Sequence, residues 1–242
     1  MSDRATQFDK ALLGLRSLVM GGEFAGTARL PEVALSERLG LSRTPLRQAM
    51  DRLVAEGLLE RIETGGCRVA RFTLDDINDA IELRGVIEGT AARMAAERGA
   101  DPKVLAEAER VLDRIDTALK HPDHIDFDAY ISENAAFHQV LARLAGSQLM
   151  QREADRVSRL PLASPSAFLR GQEMIPDFNA SLVRAQDQHR AIVEAIRSRE
   201  GARAEHLARE HARLARRNLD YLAHAGPGVA ERVPGLSLLT VE

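Results

Sequence analysis

The stretch Leu41-Ser42-Arg43-Thr44-Pro45-Leu46-Arg47-Gln48-Ala49-Met50 decides how the first part of the chain is read. Gly40 breaks what precedes it, and Ser42 is placed to cap a helix that starts at Arg43 and runs to about Glu56. Gly57 ends that helix. Upstream, Pro31 sits where a first helical turn tolerates proline, opening a short helix to about Leu39. Apolar residues at helical spacing predict another helix over residues 6–22, stopped by Gly21-Gly22. A short helix, a glycine turn and a second helix form a helix-turn-helix pattern. Downstream, Leu58–Ile62 and Cys67–Arg71 read as two short strands around Glu63-Thr64-Gly65-Gly66, whose paired glycines permit the positive φ of a tight hairpin. The whole is a winged helix.

In such a unit the first turn of the second helix enters the major groove. Arg43 and Arg47 are four residues apart and share a face, and no acid lies between Leu41 and Met50. A guanidinium fork grips guanine O6/N7 or a phosphate in two places. Ser42 and Thr44 offer hydroxyls to phosphates, and Arg61, Arg68 and the Gly65-Gly66 backbone of the wing are further candidate contacts to double-stranded DNA. A protein-docking role for the winged helix is disfavoured by the arginine-bearing, acid-free helix start.

The 242 residues suffice for two modest domains with their own cores. Hydrophobic content of 45% and charged content of 29% are those of a soluble globular protein. No apolar run approaches a bilayer span and the N-terminus carries no secretory pattern, so a membrane partner is not expected. A single cysteine, Cys67, excludes an intrachain disulfide and fits a cytoplasmic location; it is expected as a half-buried strand residue. The formal net charge of -3 hides a split, because residues 1–72 hold eleven Lys/Arg against nine Asp/Glu.

After Phe72 the pattern turns wholly helical. Thr73-Leu74-Asp75-Asp76 is a near-capping box, and helices are expected over about 74–98, 102–120, 126–145, 148–160, 180–198 and 201–223. A loop with a short helix is expected through Pro176. The fold class is thus mainly α, with a winged helix-turn-helix domain at 1–72, an all-α bundle at 73–225 and a tail at 226–242, either frayed or gripping a partner.

Asn134 and His138 are i and i+4 on one helix, while His189 and His211 fall on two later ones. Inward side chains from facing helices are a standard way to build a metal site. Neutral imidazoles suit Zn²⁺, Ni²⁺, Mn²⁺ or Fe. From spacing alone, any one such histidine is more often a hydrogen-bonded core or surface residue, and His121, His124, His206 and His224 are read that way. Arg84, with Glu88 four residues on, either clamps a carboxylate bidentately or forms an intrahelical salt bridge.

Leu30-Pro31-Glu32 through Glu60, centred on Leu41–Arg47, resembles the winged-helix domain of GntR-family bacterial transcription regulators. The helical remainder resembles the ligand-binding domain of the FadR-type (FCD) branch, and the likeness covers residue 6 to about 223. Ala25-Gly26 stands where the family usually has Pro-Gly, and Val33 where some members carry a DNA-contacting arginine. The resemblance implies a divalent metal, Zn²⁺ first, held by an Asp-x-x-x-His pair and two later histidines. His138, His189 and His211 match the histidines, and Asn134 stands at the aspartate position, removing a negative charge. It also implies that Arg84 faces the pocket. Asp79 to Val86 with the Asn-x-x-x-His variant is similar to vanillate-type aromatic-acid regulators of this branch. The expectation is a homodimeric repressor that binds operator DNA under control of a small carboxylate effector. The alternative from another class is a metal-dependent hydrolase, in which three histidines activate water; no general base or nucleophile motif accompanies them.

Overall fold

The computed structural model describes residues 2–24, 26–120, 125–160, 163–165, 178–224 and 238–239. The first helix, α1 (Ser2–Met20), buries Ala11, Leu15 and Val19 at four-residue intervals. The second, α2 (Glu32–Leu39), starts after Pro31, which is its N-cap rather than its first residue. Gly40 follows with φ 64°, the left-handed conformation that ends a helix at low cost in glycine. The third, α3 (Arg43–Ala55), turns Leu46, Ala49, Met50 and Leu53 inward at helical spacing.

Ser42 occupies the N-cap position of α3, but its side chain makes no capping hydrogen bond. The expected cap is therefore positional only, and the hydroxyl and first-turn amides face outward. The wing is the antiparallel pair β1 (Leu59–Arg61) and β2 (Cys67–Val69), in register Leu59↔Val69 and Arg61↔Cys67. Both strands are shorter than their sequence suggests. Leu58 donates its amide to Leu53 O at 2.9 Å, closing α3, and only its carbonyl joins the wing, accepting from Ala70 N at 3.1 Å. At the other end Gly65 N donates to Ile62 O and the chain reverses through Gly65 and Gly66, both at positive φ. Cys67 is fully buried, not half-buried, and burial pushes its thiol above the usual range.

The helical unit begins at α4 (Leu74–Arg98), where Thr73 and Asp76 form a complete capping box. It continues through α5 (Pro102–Leu119), α6 (Phe127–Leu144), α7 (Gln148–Val157), α8 (Phe178–Arg197) and α9 (Gly201–His224). Phe137, Leu141, Leu112, Ile115, Ile192 and Ile196 fill its centre, each fully buried. Such side chains contribute about 1.5–3 kcal/mol apiece by leaving water. The closest helix pair is α4 with α9. Its seam is lined by small residues: a methyl on Gly89 would lie 3.0 Å from the Glu205 carbonyl oxygen. Most of the segment expected to hold a short helix before Pro176, and most of the 226–242 tail, lie outside the described residues.

Several contacts join the units among the described residues, including Met20 and Phe72 against Ile77, Ile81 and Leu219. Leu238, 2% exposed, packs into the winged-helix core with Leu15, Leu30 and Val69, and its carbonyl accepts from Phe72 N at 3.0 Å. Glu56, the C-cap of α3, is 6% exposed and gathers Arg16, Arg52 at 2.8 Å and Arg159 from beyond α7 at 3.9 Å.

Candidate functional site

On the winged unit, Ser42, Arg43, Thr44 and Arg47 are exposed on the first turns of α3. Arg43 has no ion-pair partner among the described residues. Arg47 donates to Glu32 at 2.8 Å, so a phosphate there competes with a carboxylate. In the wing, Arg61 pairs with Asp51 at 2.6 Å and Arg68 with Glu60 at 2.7 Å. Gly65 and Gly66 form the tip.

In the helical unit α6 lines up Tyr130, Asn134 and His138 at four-residue spacing, all buried. His189 from α8 and His211 from α9 complete a cluster whose ligand atoms lie within 4.8 Å of one another. His189 Nε2 is 3.0 Å from His211 Nε2, which is 3.4 Å from His138 Nε2. Every Nδ1 has an oxygen acceptor. His138 Nδ1 meets Glu88 Oε1 at 2.9 Å. His189 Nδ1 meets Gln186 Oε1 at 3.2 Å, and His211 Nδ1 meets Gln188 Oε1 at 3.2 Å. The Gln186 orientation is fixed, because its Nε2 donates to Leu112 O and Asp116 Oδ1.

Those partners assign the protons. Burial would raise the Glu88 pKa, but His138, Arg84 and His211 together outweigh it and bring it to about 2. Glu88 is therefore an ionised acceptor. Burial, then His138, pulls His211 down to about 3, with Glu88 opposing. Burial, then His211 and His138, holds His189 well below the ordinary value. Both shifts favour neutral rings at His189 and His211, and the fixed Gln186 Oε1 places the His189 proton on Nδ1, so the His189 Nε2 lone pair faces His211 Nε2 at 3.0 Å. An Nε2 proton on His211 or a cation between the two nitrogens satisfies that contact. Metal–nitrogen bonds of 2.0–2.1 Å at tetrahedral or octahedral angles imply nitrogen separations of about 2.8–3.4 Å. The separations at His211, the donor chemistry and the carboxylate-backed imidazole fit a divalent ion.

Asn134 lines the same cavity, with Nδ2 donating to Pro165 O at 3.2 Å. Arg84 is 2% exposed; its Nη1 donates to Ala163 O at 2.9 Å, and its Nε lies 3.9 Å from Glu88 Oε2. The intrahelical pairing of Arg84 with Glu88 is present, and Arg84 also lines the cavity. The cavity is about 40 Å³ in volume, closed on one side by Ser164 and Pro165. His206 is exposed and bonds Ala202 O; His121 and His124, and the side chain of His224, lie outside the described residues.

Sequence reasoning missed several partners. Gln186 stands three residues before His189 on the same face of α8, and Tyr130 is one turn before Asn134. Asn218 is two turns after His211, and those offsets could have identified all three. Gln188 carried no such signal, since its contact crosses from α8 to α9.

A winged reader coupled to an all-α unit with a buried histidine centre defines a DNA-binding transcription regulator. The comparisons with known proteins make this specific: the chain belongs to the GntR family of bacterial regulatory proteins, in the branch carrying an FCD domain. The FCD domain model matches residues 79–214, and the "Bacterial regulatory proteins, gntR family" model matches residues 10–69. The HTH-type transcriptional repressor GlaR of Escherichia coli (strain K12) is 29% identical over 81% of this chain and 88% of its own. The HTH-type transcriptional regulator LutR of Bacillus subtilis (strain 168) is 29% identical over 78% of this chain and 90% of its own. Among solved structures, E. coli McbR/YncC shares the fold at TM-score 0.64 and 20% identity, covering 90% of this chain and 98% of that one. These relatives are regulators, and the hydrolase alternative gives way to them. No helix among the described residues is long and apolar enough to cross a membrane.

Proposed function

We propose that the chain is a homodimeric repressor whose hold on operator DNA is set by a small carboxylate bound beside a divalent cation, Zn²⁺ first. Asn134, His138, His189 and His211 would hold the ion, in a division of residues 1–72 as reader, 73–225 as sensor and 226–242 as tail. The observation that carries this reading is the convergence of three buried imidazoles whose Nε2 atoms face one another while each Nδ1 meets a side-chain oxygen. When bound, the cation supplies positive charge and open positions for carboxylate oxygens. Relatives named as repressors, GlaR and the probable D-xylose utilization operon repressor of Paenarthrobacter nicotinovorans, support the repressor reading.

The residues suggest how occupancy reaches the DNA. Arg84 and Asn134 donate to the carbonyls of Ala163 and Pro165. An entering carboxylate is the stronger acceptor and takes over those donors, releasing the 163–165 segment. That segment follows α7, whose C-terminal side presents Arg159 to Glu56 at the foot of α3. A ligand acts through this path only if it prefers one arrangement of it. Ser42, Arg43, Thr44 and Arg47 would read the major groove, with Arg61, Arg68, Gly65 and Gly66 at the wing.

The test is elemental analysis of protein purified without chelator or nickel resin, beside His189→Ala. The expected result is about one ion per chain, lost in the variant. No metal in either protein would overturn the cation. In parallel, binding to the protein's own upstream DNA is measured with hydroxy, dicarboxylic and aromatic acids. Indifference to the whole panel would overturn carboxylate control.

A further inference from the structure

We propose that Arg29 is a DNA-phosphate contact at the flank of the wing, the cation that completes the reading surface where Val33 offers none. The inference rests on the DNA-binding function of the family and goes beyond the residues of the recognition helix and hairpin. Its starting point is which charges of the winged unit are already neutralised. Arg16 and Arg52 face Glu56, Arg38 faces Glu23, Arg47 faces Glu32, Arg61 faces Asp51 and Arg68 faces Glu60. Each must loosen or share a carboxylate to bind a phosphate. Arg29, Arg43 and Arg71 have no carboxylate partner among the described residues of this unit.

Arg29 differs from an ordinary solvated arginine in how it is held. It is exposed, yet the next residue, Leu30, donates its amide to Cys67 O at 2.8 Å and ties the backbone to β2. Its side chain lies across the hairpin tip. A methyl group on Gly66 would come within 2.8 Å of Arg29 Nε and 3.3 Å of Cζ and Nη2. Gly66 has a φ of 91°, and the guanidinium passes over the open face that its missing side chain leaves. A cation carried on a backbone already tied to the wing has less freedom to lose on binding than one on a free loop. The wing of such a unit lies beside the groove next to the one entered by the recognition helix, where backbone phosphates line the edge. A planar guanidinium with unengaged N–H groups matches that chemistry.

The experiment is a salt titration of binding to a generic duplex and to the protein's own upstream DNA, using full-length wild type, Arg29→Ala, Arg29→Lys, Arg68→Ala and Arg43→Ala. Loss of one phosphate contact flattens the plot of log K against log salt by about 0.9. Arg29→Ala is therefore expected to lose about 3.5-fold less affinity than wild type between about 50 and 200 mM salt. Arg29→Lys should keep the wild-type slope, and Arg68→Ala, whose charge already faces Glu60, should change it less. A wild-type slope in Arg29→Ala, or an Arg29→Lys variant as impaired as the alanine, overturns the proposal. A loss confined to the upstream DNA overturns it too, since a phosphate contact acts on both duplexes. Arg43→Ala reports separately on the recognition helix. If it weakens binding while Arg29→Ala does not, only the wing-flank contact falls.

Discussion

Replacing His189 by alanine should abolish the stabilisation that Zn²⁺ gives the protein while leaving the fold in place. The His189 ring is wholly buried between the other two imidazoles and Phe137, its centroid 4.2 Å from the phenyl ring. Its removal opens a cavity at a cost of about 2–4 kcal/mol. The base melting temperature is therefore a poor readout and the metal-dependent increment a good one. In wild type, Zn²⁺ at a hundred times its dissociation constant stabilises the folded state by about 2.7 kcal/mol. For a chain of this length that corresponds to a shift of roughly 5–11 °C. The assay is a thermal melt of chelator-stripped protein with and without Zn²⁺, for wild type and variant. A wild-type protein indifferent to Zn²⁺, or a variant stabilised as much as wild type, would refute the argument from converging nitrogens.

Arg43→Ala should weaken DNA binding more than Arg47→Ala, because Arg47 already donates to Glu32. We expect about 1–3 kcal/mol for Arg43→Ala by gel shift or anisotropy; equal small effects would contradict the charge analysis. Leu238→Ala should destabilise the winged unit by about 2–5 kcal/mol in urea unfolding, as for other buried leucines. A loss below about 0.5 kcal/mol, the level of ordinary surface changes, would remove Leu238 from that core. Asn134→Asp should tighten Zn²⁺ binding by about tenfold or more in chelator competition, since a carboxylate adds charge to the donor set. It also cannot donate to Pro165 O, so the 163–165 segment should become more protease-sensitive; unchanged affinity would place residue 134 outside the ion's reach.

The fold class was legible because its signals are local. Thr73 and Asp76 announce α4 through side chains three residues apart, and Gly40 and Gly57 mark helix ends by a backbone need that glycine meets. Strand lengths were less legible, since Leu58 looks like a strand residue yet closes α3 with its amide. Ser42 stands where a cap belongs without forming the bond, a choice between backbone and solvent that residue type does not record. The histidines could be proposed as a set from their helical faces and the family resemblance. Gln186 was within reach of the same spacing argument, but Glu88 and Gln188 were not, because they meet His138 and His211 across helices. Arg29 was invisible for the same reason: its significance depends on which other arginines had found carboxylates.

The return of Leu238 to the winged-helix core sets an order of events during synthesis. Residues 1–72 leave the ribosome first, yet one side of their apolar core and the partner of the Phe72 amide arrive only with Leu238. At the usual 5–20 residues per second that delay is on the order of ten to thirty seconds. Through that interval the nascent reader has an unfinished apolar face, open to chaperones. It becomes complete only when the sensor has already been made, so a truncated product lacking the final turn of sequence would carry the recognition helix without the full core that steadies it.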